Sequence, residues 1–327
     1  MIVTLADAHP RRFARLAAAL VLGFVFFLAH TLHAQSSVIA VDLYNKKIHI
    51  ASNANVKRAV GGLTMITTAL VALDWQNVTK VSLNTLATVS PMDMQIAGAN
   101  PLSLEAGDQL TLRDLIYASM MSSDNLAATT LADFVGQDIL SRRGKHADPI
   151  AEFVGEMNKL AQREGASKTH FTNPHGLENS RTVPYSTAAD IAKITLYALS
   201  RAPLKYYTSQ KKRDITVIRG GKPTTVPLEN TNLLLGQDSI DGVKTGNTAQ
   251  SGGCVAISAE KPGTVLPDPS TGKHILFRHR MVVVVLGSQD PFAEASSALK
   301  QAWEMYEQWE AAGRQIKDPK ELITNFN

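Results

Sequence analysis

Asp241-Gly242-Val243-Lys244-Thr245-Gly246 ends a strand-like stretch with a lysine, a hydroxyl and a glycine. Upstream, Ser123-Asp124-Asn125 separates two helical patterns, a place from which side chains can face a cleft. Further upstream, Gly61-Gly62-Leu63-Thr64-Met65 opens an apolar helical run. The separations are 61 residues from Gly62 to Ser123 and 119 from Asn125 to Lys244. Taken singly, Ser122, Ser123 and Asn125 read as a helix cap, and Lys244-Thr245-Gly246 as an ordinary strand end. In this order, with the flanking blocks described below, they read as one site.

The residues on either side of these stretches set the architecture. Residues 38–50 read as two short strands about a turn at Asn45-Lys46-Lys47. Thr64–Trp75 places Ile66, Ala69, Leu70 and Leu73 at helical spacing. Leu110–Met121 is helical with Thr111 and Asp114 as an N-terminal signature, Leu126–Phe134 resumes a helix, and Ile150–Glu164 and Ser186–Ser200 follow. From about Asp214 the period changes to that of strands. A hairpin is expected around Gly220-Gly221-Lys222-Pro223, with strands at 242–245, 253–258 and 281–287. The valine run in the last of these suits a sheet buried on both faces. Pro262–Gly272 reads as a hairpin loop, and Pro291–Ala312 as a closing helix with Phe292, Leu299, Trp303 and Tyr306 on one stripe.

Strands at both chain ends flanking a helical middle predict an α/β, two-lobed α+β fold, with an antiparallel sheet flanked by helices plus a helical lobe. The α/β lobe is expected from about 35–75 and 205–312, and the helical lobe from about 76–204. A cleft should lie between them.

The chain has 327 residues, 44% of them hydrophobic, which is ample for a buried core. Net charge is +4, and residues 1–34 account for half of it, so nucleic-acid binding is not expected. Arg11, Arg12 and Arg15, an apolar run over 16–29 and the small Ala34 read as a signal peptide over residues 1–34. A periplasmic protein without a stable membrane span after cleavage follows from that reading. The chain ends soon after the closing helical stripe, so no further C-terminal domain is expected. Cys254 is the one cysteine and reads as a buried strand residue. No metal-ligating spacing is present, and nothing calls for a cofactor.

Four further blocks carry a resemblance: Thr68-Ala69-Leu70-Val71, Asn173-Pro174-His175-Gly176-Leu177, Tyr185-Ser186-Thr187-Ala188 and Asn230-Thr231-Asn232. With the stretches above, the chain resembles the low-molecular-mass penicillin-binding proteins over residues 38–310. These are serine-type D-alanyl-D-alanine carboxypeptidases and endopeptidases. The resemblance implies a β-lactamase/transpeptidase-like fold and peptidoglycan stem peptides or muropeptides as ligands, with a cell-wall enzyme as a further partner. It implies catalytic roles for Ser123, Asn125 and Lys244 and substrate binding by Lys244, Thr245, Gly246 and Thr248. Backbone N–H groups near Gly62 and Thr248 would form the oxyanion hole.

The family's first signature, S-x-x-K, supplies a hydroxyl nucleophile and its base one helical turn apart. Here those positions are Gly62 and Met65. Glycine has no side-chain oxygen, and a thioether is no base at neutral pH. Thr64 lies about 200° round a helix from Gly62 and should face the core. The spacing S-x-x-K recurs at Ser209, Ser258, Ser270 and Ser297, all after Ser123. A β-lactamase reading lacks an acidic deacylation motif. The expectation is therefore a pseudoenzyme that binds stem peptides or a partner, the alternative being an active carboxypeptidase or endopeptidase with a nucleophile elsewhere.

Overall fold

Val282–Val285 is fully buried at the centre of a sheet, as its unbroken apolar character requires. In the computed structural model, residues 35–95, 98–178, 183–200, 202–267 and 272–326 are described, so the leader expected over 1–34 lies outside the described residues. The chain begins with β1 (Ser37–Asp42), β2 (Ile48–Ser52), a 3₁₀ turn at Gly61–Leu63 and α1 (Thr64–Thr79). There follow β3 (Leu86–Thr88), β4 (Gln109–Thr111), α2 (Leu112–Ser122), α3 (Asn125–Arg142) and α4 (Pro149–Arg163). The remainder is α5 (Ala188–Ser200), α6 (Ala202–Thr208), β5 (Lys212–Arg219), β6 (Lys222–Glu229), β7 (Ile240–Thr248), β8 (Gly252–Pro267), β9 (His274–Ser288) and α7 (Pro291–Ala311).

Among the described residues, a five-stranded antiparallel sheet has the order β2-β1-β9-β8-β7. The strand period of two sorts its side chains into two cores. Ile39, Val41, Cys254, Ala256, Val282, Val284 and Leu286 belong to the larger one, shared with α1 and α5. Val38, Ala40, Val255, Ile257, Val283 and Val285 face α7, where they meet Leu299, Trp303 and Tyr306. Each fully buried aliphatic side chain contributes about 1.5–3 kcal/mol, so β9 alone anchors both layers. The stripe expected on α7 is thus a sheet-packing face.

α1 is buried from Thr64 to Leu73 on every side, with α2, α3, α4 and α5 around it. Its apolar residues therefore cover the whole helix circumference, the pattern of a central helix. It ends where Lys80 takes a left-handed conformation and donates to the Gln76 carbonyl.

Four expectations need correction. The β5–β6 hairpin does not extend the large sheet; it joins β3 and β4 in a second, four-stranded sheet. The lobe expected over 76–204 is therefore not all-helical, and the α/β lobe does not take all of 205–312. Likewise α5 packs on β9 and β1, so it belongs with the large sheet. Residues 262–267 are strand, with 264–267 paired to 274–277 after a shift in register, because β8 and β9 extend as a long hairpin arm beyond the core. The first turn occupies Leu43-Tyr44-Asn45, with Lys47 bridged to Leu322.

Candidate active-site cleft

The site forms where β7 passes the 3₁₀ turn at the start of α1. Two glycines permit that approach. A Cβ on Gly246 would lie 2.7 Å from the Gly62 nitrogen, and one on Gly62 would lie 2.9 Å from the Thr245 carbonyl oxygen and 3.7 Å from Lys244 Nζ. The Asn173–Leu177 turn closes the other side. Gly176 has φ +84°, and a Cβ there would fall 1.9 Å from the Gly61 oxygen, so only glycine fits. Thr68 on α1 donates to the Pro174 carbonyl at 2.6 Å and holds the turn down.

The α2–α3 junction brings in the second group. Ser123 is in the left-handed region at φ +56°, capping α2 through its N–H to the Ala118 carbonyl. Asp124 is the helix cap of α3: its buried carboxylate accepts Ala127 N–H at 2.8 Å and Leu102 N–H at 3.2 Å. The capping role that the triplet suggests thus falls on its middle residue, and Ser123 and Asn125 are left to line the cleft. Asn125 lies against Gly98, where a Cβ would be 2.3 Å from its Nδ2.

Lys244 reaches inward from β7 with 1% of its surface exposed and bonds Ser123 Oγ and, at 2.9 Å, the Thr245 carbonyl. Burial pulls its ammonium down to about 7. Thr245 Oγ1 pairs with Thr231 Oγ1 at 2.6 Å, and Thr231 also donates its N–H and hydroxyl to the Met121 carbonyl at 3.0 and 3.2 Å. The resulting cleft, about 650 Å³, is lined by Gly62, Met65, Ser123, Asn125, Thr245, Gly246 and Thr248. These residues, drawn from three distant stretches of the chain, are the ones singled out from sequence, and the fold brings them together. Met65 is fully buried beneath the cleft. Thr64 is buried and does not line it.

Thr248 departs from expectation. Its N–H, expected to help bind an oxyanion, donates to Ser251 Oγ at 3.0 Å, and its hydroxyl donates to Glu178 Oε1 at 2.6 Å. Both groups are engaged within the protein. Sequence reasoning did not select Glu178, Ser251, His175, Asp290 or Phe292. His175 and Thr231 stood in recognised blocks, which was an available signal; the contacts of Glu178 and Ser251 arise only in three dimensions. His175 is buried, and burial lowers its imidazole to about 4, so it is neutral at physiological pH. Its Nδ1 accepts the Leu177 N–H at 3.1 Å, which leaves the hydrogen on Nε2.

The family model described as D-alanyl-D-alanine carboxypeptidase matches residues 27–266. The D-alanyl-D-alanine carboxypeptidase DacF of Bacillus subtilis is 25% identical over 84% of this chain and 64% of its own length. A D-alanyl-D-alanine carboxypeptidase of Streptomyces sp. strain K15 is 30% identical over 71% of this chain and 76% of its own. The chain thus spans less than two thirds of the Bacillus protein, and 52% of the Escherichia coli carboxypeptidase DacC. Among solved structures, the crystal structure of the Streptomyces K15 DD-transpeptidase superposes with a TM-score of 0.67 at 24% identity, covering 82% of this chain and 95% of that one. Penicillin-binding protein D2 of Listeria monocytogenes, in its ampicillin-bound form, gives 0.62 at 23% identity over 82% and 96%. With the antiparallel sheet, the helices and the cleft in the positions described, the chain belongs to the D-alanyl-D-alanine carboxypeptidase family and has the fold of the DD-peptidases and penicillin-binding proteins.

Proposed function

We propose that this protein binds peptidoglycan stem peptides without cleaving them, as an exported pseudoenzyme working in the periplasm. The observation that carries this reading is the pairing of a retained cleft with a missing nucleophile. Ser123, Lys244, Thr245 and Gly246 surround position 62, where glycine offers no oxygen. Met65 supplies no base. In serine hydrolases, losing the nucleophile removes about 10⁶-fold in rate. A peptide laid along β7 would still find strand backbone, Asn125 and Thr245.

Titration of the full chain with a D-alanyl-D-alanine-terminated stem peptide tests the reading. Saturable binding without release of D-alanine is the expected result, and Lys244→Ala should weaken binding. Undetectable binding of this peptide both as free acid and as C-terminal amide removes this reading. Turnover at high enzyme concentration would favour the alternative, an active carboxypeptidase or endopeptidase with another nucleophile.

A further inference from the structure

The Thr248 end of the cleft has a hydrogen-bonding and charge pattern that a free carboxylate does not match. Among the described residues lining the cleft, Asp290 is the one formally charged side chain, and it is an acid. Glu178 adds a second carboxylate, bonded to Thr248 Oγ1 at 2.6 Å. Neither nearby cation lines the cleft: Lys244 is buried and directs its protons at Ser123 and the Thr245 carbonyl, and Arg58, which lies against Gly287, donates its Nε–H to Ser37 Oγ. Burial also lowers the Lys244 ammonium to about 7, so only about half of it is charged at pH 7.

Thr231 and Thr245 share one hydrogen across their 2.6 Å contact, and either oxygen can supply it. Thr248 gives its hydroxyl hydrogen to Glu178 and its N–H to Ser251, and it accepts the Ser251 N–H at 2.9 Å. Thr248, which would help hold a terminal carboxylate, thus has no hydrogen left to offer one. An ionised carboxylate is acceptor-only, whereas a primary amide carries two donors and one acceptor oxygen. The neutral Nε2–H of His175, which also lines the cleft, suits such a carbonyl oxygen.

We propose that this cleft selects stem peptides whose C-terminal end carries no free carboxylate, ending instead in an amide or continuing as an amide-linked chain, and that Glu178 and Asp290 set this selectivity. The proposal rests on the reading that the cleft binds stem peptides.

The test is calorimetric titration of the full chain with one tripeptide, acyl-L-lysyl-D-alanyl-D-alanine, as free acid and as C-terminal amide. The amide should bind at least tenfold more tightly. Raising ionic strength should narrow the gap, because screening weakens repulsion between partly exposed charges. Glu178→Gln combined with Asp290→Asn should narrow it also, through tighter binding of the acid. Both substitutions preserve shape, and asparagine remains a good helix cap at 290; a melting curve confirms that the variant is folded. Equal or tighter binding of the acid by the unmodified chain overturns the selectivity and leaves stem-peptide binding standing. A gap that neither salt nor the double variant moves overturns the roles of Glu178 and Asp290. Failure of both peptides to bind overturns stem-peptide recognition itself, and this proposal with it.

Discussion

A Cβ on Gly62 would sit 2.9 Å from the Thr245 carbonyl oxygen, so the two backbones meet where a serine side chain would otherwise stand. β7 occupies part of the room that a nucleophile needs. Gly62→Ser should therefore be destabilising by about 1–3 kcal/mol, the usual cost of overpacking. It should also remain unreactive, because Met65 is no base and Lys244 is already bonded to Ser123 and the Thr245 carbonyl. Intact-protein mass after incubation with benzylpenicillin checks both forms. Neither the natural chain nor Gly62→Ser should gain a penicilloyl group. An adduct on the natural chain would mean that another residue is a working nucleophile.

Lys244 should give the protein an unusual stability profile in mild alkali. Its folded-state value is pulled down to about 7 from 10.5 by burial. Between these values the unfolded chain holds a proton that the folded chain lacks, so stability rises with pH across that window. Below about 7 both states are protonated and the full cost of the buried charge is present. Lys244→Met should remove up to about 1.4 kcal/mol per pH unit of this slope. Urea midpoints from about pH 7 to about pH 10 would measure it, and parallel curves for the two proteins would refute the assignment.

Much of this arrangement was readable from residue patterns, and the exceptions share a cause. The valine run of β9, the apolar circumference of α1 and the Thr111 cap, which accepts the Asp114 N–H at 3.0 Å, follow from local rules. Asn125 and Thr245 were brought to one cleft by motif order, with Lys244 buried beside it. By contrast β3 and β4 are three residues each and exist by pairing with one another and with the distant β5. No periodicity is visible over three residues. The α6 helix, seven residues long, escaped for the same reason. Thr248 was read by position alone. Its engagement by Glu178, 70 residues away, is a tertiary event with no local signature.

Gly176 should tolerate no side chain. Its φ of +84° disfavours any L residue, and a Cβ would overlap the Gly61 oxygen at 1.9 Å. Gly176→Ala should cost about 2–4 kcal/mol, combining a left-handed backbone penalty with overpacking. The turn carries His175, so ligand affinity should fall with stability. Chemical denaturation and peptide titration would follow the two effects. A variant as stable as the natural chain would show that the turn can move off Gly61.

The K-T-G strand is held from behind by Arg280. Its guanidinium, 4% exposed, donates to both Asp241 oxygens at 2.8 Å and to Ser258 Oγ at 2.9 Å, and it pairs with Glu260. Lys205 on α6 bridges the same two acids at 3.0 and 2.9 Å. This explains the aspartate in Asp241–Gly246: it ties β7 to β8 and β9 just ahead of Lys244. Arg280→Ala should cost about 2–4 kcal/mol, because buried partners left unpaired are expensive while Lys205 still compensates them in part. Since both acids and Lys205 are partly exposed, the loss should be smaller than for a fully buried pair. A change below about 0.5 kcal/mol in a urea titration would place the network among surface pairs of little consequence.

Two buried histidines should make the fold sensitive to mild acid. His49 packs its ring against Tyr306 and Trp309 at centroid distances of 5.6 and 5.9 Å, and its Nε2 is buried without a partner. Burial, aided by Lys47, lowers it to about 4, and burial alone lowers His175 to about 4. The folded state therefore holds both rings neutral while the unfolded chain protonates near 6.5. Stability is full above that value and falls as pH drops from about 6.5 towards about 4, by up to about 1.4 kcal/mol per pH unit for each histidine. His49→Phe keeps the ring contacts with α7 and removes the titrating group. Its stability should decline over this window with about half the histidine-dependent slope of the natural chain. Melting temperatures at about pH 6.5, 5.5 and 4.5 would decide it, and equal declines for both proteins would mean that His49 is already charged in the fold.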